Sequence, residues 1–239
     1  MDLSNDGFLG GRVVAQQPRV GFRSGTDAVM LAAAVPGKPG DEVLELGCGA
    51  GIASLCFVSR ITDCHVTGVE LAPELVAIAE KNARANGWEA RVDFEVANVL
   101  RLPNHLRKSF DHVFCNPPFH RSSGEISPNA DRARALSDRD GLHNWIIAGL
   151  ARVAPGGTLT LIVRADRLGA VLRSVPQEAS TIFPLWPRQG EPAKRVILQI
   201  VKDSRAQLRL SAGLVLHEHD GRYTPQADRI LRGGGSLAL

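Results

Sequence analysis

Short apolar runs alternate with longer amphipathic ones over most of this 239-residue chain. Residues 41–46 (DEVLEL), 65–70 (HVTGVE), 92–97 (VDFEVA), 111–115 (DHVFC) and 158–163 (TLTLIV) have strand length and end at turn residues. Between them lie stretches with helical spacing: 28–35, 52–60, 73–86, 142–153 and 168–175. Pro73 suits a first helical turn and Gly87 a helix end. Strands alternating with helices predict an α/β fold, a parallel sheet with helices on both faces. Residues 180–185 and 195–201 read as an antiparallel closing pair, 213–218 as an edge strand and 225–232 as a terminal helix. The first 20 residues read as an irregular lead or a strand-like arm. PGKPG at 36–40 breaks the chain, and PGG at 155–157 separates a helix from a strand. Residues 124–140 are polar, charged and without apolar period, which reads as a mobile loop, a lid or binding loop for substrate. No internal repeat is visible. The expectation is one domain over residues 1–239: an N-terminal arm and helix (1–40), a core sheet (41–201) and a C-terminal extension (202–239).

Composition narrows the class. With 44% hydrophobic and 22% charged residues the chain has the make-up of a soluble globular protein, and no apolar run reaches membrane-spanning length. The N-terminus lacks the basic-then-apolar order of a secretory leader. Cys48, Cys56, Cys64 and Cys115 fall in the predicted core and form no C-x-x-C pair, so neither a zinc site nor a disulfide framework is expected. Buried free thiols fit a reducing cytoplasm. His217 and His219 share a strand face but have no third ligand, and no metal site is expected. Net charge is +3 and uneven: residues 1–159 sum to −2, residues 160–239 to +5. The basic C-terminal third permits contact with a polyanion.

The candidate chemistry lies at strand ends. The 111–115 strand runs into Asn116-Pro117-Pro118-Phe119. Proline donates nothing to a sheet ladder and holds the preceding residue extended, so the strand stops at a stiff corner bearing an amide. There the Asn116 side-chain oxygen and the Pro117 carbonyl can accept the two N–H groups of an amine, and Phe119 can stack on a planar base. The first strand-to-helix turn carries Gly47, Gly49 and Gly51, and Glu70 ends the next strand about 20 residues on. That spacing predicts a cofactor containing adenosine, its ribose held by Glu70. A carboxylate at Glu45, just before the first glycine, poorly suits a pyrophosphate but tolerates a cofactor bearing an ammonium and a sulfonium. Thr26 or Asp27 reads as a cap for the 28–35 helix that leaves its N–H groups available to an anion.

This pattern resembles the seven-stranded S-adenosylmethionine-dependent methyltransferases over about residues 41–201. The resemblance implies a Rossmann-like sheet, mostly parallel with an antiparallel last strand. It also implies that Gly47, Gly49 and Gly51 pack against the methionine part of the cofactor and that Asn98 meets the adenine edge. Glu45, Leu71, Val99 and Asn116 join that cofactor site. In this family an N-P-P-aromatic corner marks enzymes that methylate planar nitrogens. The PRVGFRSGTD segment at 18–27, the N-P-P-F corner and GEPAKR at 190–195 further resemble the small bacterial methyltransferases that form N6-methyladenosine in the anticodon loop of a valine tRNA. That resemblance implies tRNA as partner, Thr26 and Asp27 over the cofactor, and Asn116, Pro117 and Phe119 as catalytic residues. His120 is a candidate for orienting the substrate, and Arg121, Arg132, Arg134 and Arg139 for holding phosphates. Three alternatives stand beside it: guanine N2 methylation of ribosomal RNA, glutamine N5 methylation of a protein, and a catalytically inactive module that binds cofactor and RNA.

Overall fold

The computed structural model describes residues 2–118, 141–175 and 180–239. The first residues form a hairpin, β1 (Leu3–Phe8) and β2 (Val13–Pro18), where the sequence predicts an irregular lead or a strand-like arm. Then follow α1 (Thr26–Ala34), β3 (Glu42–Leu46), α2 (Ile52–Arg60), β4 (His65–Glu70), α3 (Pro73–Ala85), β5 (Val92–Val96) and β6 (Phe110–Cys115). Beyond residue 140 come α4 (Gly141–Leu150), β7 (Val153–Arg164), α5 (Leu168–Leu172), β8 (Ser180–Trp186) and β9 (Arg195–Val201). Two-residue strands β10 (Arg209–Leu210) and β11 (Leu214–Val215) and the helix α6 (Pro225–Leu231) end the chain.

The main sheet runs β8-β9-β7-β6-β3-β4-β5, with β10 and β11 both on the outer edge of β8. β3 to β7 are parallel, and β9 inserts antiparallel between β7 and β8, the arrangement that the sequence predicts for the closing pair. The central strands are buried along nearly their whole length because helices cover both faces. One apolar cluster joins the sheet to α1, α2 and α3, and the other joins it to α4 and α5. Every residue of α1 from Ala28 to Ala34 is buried. α3 is amphipathic instead and buries Val76, Ile78, Ala79, Asn82 and Ala83.

Several boundaries differ from the sequence reading, and the helices expected over 142–153 and 168–175 end early, at Leu150 and Leu172. Pro155-Gly156-Gly157 lies inside β7, not ahead of it, and the pairing with β6 shifts register there. Gly157 permits this: a Cβ there would stand 2.3 Å from the Asp111 carbonyl oxygen. The expected 213–218 edge strand reduces to Leu214–Val215. The N-cap of α1 is Gly25, with no side-chain cap, so neither Thr26 nor Asp27 caps that helix; Asp27 pairs with Arg195 instead. Among the described residues no helix is long and apolar enough to cross a membrane.

The hairpin is fixed through its free edge. The side-chain amide of Asn82 accepts from the Gln16 N–H (2.7 Å) and donates to the Gln16 carbonyl (3.0 Å). One turn later Asn86 does the same for Val14 (3.1 and 2.8 Å). Two asparagines four residues apart, one on α3 and one capping its C-terminus, thus stand in for the missing neighbour strand of β2 and satisfy its outward backbone groups. Asn82 also donates to the Ala50 carbonyl (2.9 Å), which ties the hairpin to the glycine turn.

Candidate active site

Because β3 to β6 are parallel, their last residues share one edge of the sheet. β3 lies between β4 and β6, at the point where the strand order reverses and where open α/β sheets bind ligands. Gly47 and Cys48 both donate to the Val69 carbonyl (2.8 and 3.0 Å), which folds the turn back over β4. Gly47 has φ +71°, and the place of a Cβ is taken by the Trp145 indole edge, 2.6 Å away. At Gly51 the same place is filled by Phe94 and Ala79. Gly49 is different: a Cβ there would meet nothing within 4 Å, so the turn is open above its middle glycine.

Glu70 closes this turn. Its Oε2 accepts from the Gly49 N–H (3.1 Å), and its Oε1 from Leu71 and Ala72 (2.8 and 3.0 Å). A carboxylate has about four lone-pair sites, so acceptor capacity is left for hydroxyl groups. Leu71 stays exposed at the end of β4. At the end of β5 the Asn98 oxygen accepts from the Leu100 N–H (2.9 Å), and Val99 is buried. Glu45 is buried and accepts from the Ser54 N–H (3.0 Å) and hydroxyl. Burial pushes its carboxyl up to about 8, against the bonds from Ser54, and the nearby Glu70 charge adds to the rise. Cys48, Cys56, Cys64 and Cys115 are all free and buried, and burial raises each thiol.

The amide corner leaves the sheet beside that turn. Leu46 and Cys115 are register partners, so Gly47 and Asn116 step off adjacent strands at one level. The Asn116 Oδ1 is buried and has no hydrogen-bond partner among the described residues. An unpaired buried amide oxygen costs about 1–3 kcal/mol, which a ligand N–H in that position would recover. Pro117 is buried and Pro118 exposed. Phe119, His120, Arg121, Arg132, Arg134 and Arg139, with the 124–140 segment, lie outside the described residues.

Thr26 is exposed at the start of α1, and Asp27 holds Arg195 Nε at 2.7 Å. Arg195 opposes Arg164 at the carboxyl end of β7, so this pair stands on the same edge as Asn116. Trp145 carries no sequence signal of its own, since it reads as one more apolar position of a core helix. Arg195 lies in the GEPAKR segment, but nothing in that segment announces its pairing with Asp27. Among the described residues no group of three or more His, Cys, Asp or Glu is placed to hold a metal.

Known proteins resemble this chain in sequence and fold. Residues 43–140 match the family model described as a methyltransferase domain. A tRNA1(Val) (adenine(37)-N6)-methyltransferase of Mannheimia succiniciproducens is 32% identical over 95% of this chain and 93% of its own. The enzyme of the same name from Shewanella sediminis is 29% identical over 89% of this chain and 92% of its own. Among solved structures, a protein from Agrobacterium tumefaciens described as a predicted O-methyltransferase superposes with a TM-score of 0.74 at 26% identity, over 89% of this chain and 99% of that one. The Thermus thermophilus 16S rRNA N2 G1207 methyltransferase, solved with its methyl donor and guanosine, has the same fold (TM-score 0.59, 19% identity, 84% of this chain and 50% of that one). The chain is an S-adenosylmethionine-dependent methyltransferase, and it belongs to the family of the tRNA1(Val) (adenine(37)-N6)-methyltransferases.

Proposed function

We propose that this enzyme methylates the exocyclic N6 amine of an adenine in the anticodon loop of tRNA. The observation that carries the reading is the buried Asn116 oxygen, without a partner among the described residues and one strand away from the open glycine turn. The relatives named for this reaction support the choice of base and RNA. When bound, S-adenosylmethionine supplies an electrophilic methyl group. Gly47, Gly49 and Gly51 would pass under its methionine part, with Thr26 and Asp27 near by, and Glu70 would take the ribose hydroxyls. Leu71, Asn98 and Val99 would surround the adenine, and Glu45 stands behind the turn as a counter-charge.

The acceptor nitrogen is a poor nucleophile because its lone pair is delocalised into the ring. Asn116 Oδ1 takes one of its N–H groups and the Pro117 carbonyl the other. Both bonds favour a pyramidal nitrogen, which localises the lone pair. Phe119 is assigned the plane of the base, with His120 and Arg121, Arg132 and Arg134 toward the flanking nucleotides. No strong base is needed: as nitrogen takes the methyl group the donor would depart as its neutral thioether, and the proton that the four-bonded nitrogen then sheds is acidic enough to pass to water. Catalysis is then positioning and electrostatics. Residues 1–239 act as one unit in this reading, with residues 1–40 beside the cofactor.

The test is to offer the protein unmodified tRNA, ribosomal RNA and RNA-free ribosomal protein separately, with labelled cofactor, and to digest each product. Label in N6-methyladenosine from tRNA is the expected result. Label in N2-methylguanosine from ribosomal RNA, or in glutamine, overturns the substrate and leaves the Asn116 chemistry standing. No label anywhere, with cofactor bound, leaves only a binding module.

A further inference from the structure

The loop between β2 and α1 exposes two apolar side chains: Val20 is 89% exposed and Phe22 66%. A phenylalanine left in water forgoes the gain of burial, and a slack loop would fold it back onto the protein. This loop is not slack. The Gln17 side chain accepts from the Ser24 N–H (2.8 Å) and donates to the Ser24 carbonyl (3.1 Å), which pins the loop across its base. Gln17 also donates to Asp6 (2.9 Å), and Asp6 takes two bonds from Arg23 (2.9 and 2.7 Å). On the other limb Arg19 reaches Asp2 through its backbone N–H (3.0 Å) and its Nε (3.3 Å). The arginines on either side of the tip are spent on holding it, and the ring between them points at solvent.

Its place on the molecule narrows the partner. One limb, β2, is tied through Asn82 to Ala50 of the glycine turn. The other runs into α1, where Asp27 grips Arg195 at the carboxyl end of β9's neighbour β7. The loop therefore spans the rim between the cofactor turn and the start of β9. That rim carries four cations, Arg164, Arg167, Lys194 and Arg195, against two carboxylates, Asp166 paired with Arg164 and Asp27 paired with Arg195. An exposed ring beside a basic rim is the pairing that binds single-stranded nucleic acid, with phosphates on the cations and a base on the ring.

We propose that Phe22, with Val20 beside it, is a stacking platform for a nucleobase flanking the methylated one, so that the β2–α1 loop grips the RNA strand at the mouth of the site. The proposal rests on the RNA reading above and adds a named contact to it. Phe22 is then a positioning residue that touches the substrate away from the reacting atoms. Its side chain supports nothing in the core, so its removal leaves folding intact.

The experiment measures binding of a fluorescein-labelled anticodon stem-loop RNA by anisotropy, with methylation kinetics on tRNA and calorimetry of S-adenosylhomocysteine alongside. Phe22→Ala should weaken RNA binding and raise KM for tRNA by roughly 10- to 100-fold, the scale of one lost base–aromatic stack. Phe22→Trp should bind within about threefold of wild type, since any aromatic face serves. Affinity for S-adenosylhomocysteine should not change in either variant. Unchanged RNA affinity in Phe22→Ala overturns the proposal, as does failure of Phe22→Trp to rescue it. Weakened binding of S-adenosylhomocysteine also overturns it, because the ring would then belong to the cofactor site. The two readings fail separately. Wild type that methylates ribosomal RNA but binds the stem-loop through Phe22 loses the tRNA assignment and keeps the platform. Wild type that methylates tRNA with a KM indifferent to Phe22 does the reverse.

Discussion

Asn116 and Glu45 are two side chains of the site whose environment conflicts with their chemistry. Removing the Asn116 amide takes away one of two acceptors for the target amine and touches no bond within the described residues. Asn116→Ala should therefore lower kcat by roughly two to three orders of magnitude, the scale of one preorganised polar group, with cofactor affinity near wild type. Near-normal turnover would make the corner structural. Glu45 gives a pH signature. Its folded value, about 8, lies above its ordinary 4.5, because burial penalises the charged form. The stability it contributes is full below 4.5 and is lost as pH rises through about 8, on the order of a few kcal/mol. Glu45→Gln, which cannot ionise, should match wild type in thermal midpoint at pH 5 and exceed it at pH 9. A cationic cofactor favours the carboxylate, so binding at pH 7 should release protons from wild type. The donor's own amine titrates in the same range, so the comparison with Glu45→Gln isolates the carboxyl. Equal proton release from both proteins would place Glu45 outside the cofactor's field. Asn116, Glu70 and the three glycines were legible because their chemistry is local: a motif of four residues, or one spacing of about 20. Trp145 against Gly47 was not, since 98 positions separate them and neither residue announces the contact.

At the scale of elements, strands β3, β4 and β6 follow their apolar runs to within a residue, because a parallel strand covered on both faces tolerates few polar positions. The hairpin escapes the same logic. β1 reads LSNDGF, half polar, with glycine and two residues that disfavour strands. What makes it a strand is tertiary: β2 beside it, and α3 offering two asparagine amides to β2's far edge. Asn82 is the stronger of these, since it is buried and makes three bonds, to Gln16 twice and to Ala50. Asn82→Ala strands all three partners. We expect a loss of about 2–4 kcal/mol, or roughly 5–15 °C in Tm for a chain of this size. Thermal unfolding checks it, and a Tm within a degree of wild type would mean the hairpin is held by other contacts. Because this hairpin carries the Phe22 loop, RNA affinity should fall in the same variant although its stacking ring is intact.

For the whole molecule the relevant quantity is where charge accumulates, not the net +3. The surplus sits in residues 160–239, and the fold brings part of it to the edge of the sheet where β3 to β7 end. Lys194 is exposed there, next to the Asp27–Arg195 pair. A strand of RNA crossing the rim toward Asn116 would displace counterions in proportion to the phosphates it sets on such cations. Each contact to a single strand contributes about 0.7 to the slope of log affinity against log salt. With two to four contacts the slope should lie at roughly −1.5 to −3, so affinity drops steeply as salt is raised while S-adenosylhomocysteine binding barely responds. Lys194→Ala should weaken binding to every RNA tested alike and make the slope shallower by about 0.7, because a phosphate contact carries no sequence information. Phe22→Ala should instead shift the whole line and keep its slope, since stacking releases no ions. Anisotropy titrations over a salt series separate these two signatures. A salt-independent affinity in the wild-type protein, or a Lys194→Ala line that overlies it, would mean that the RNA reaches Asn116 over some other part of the edge.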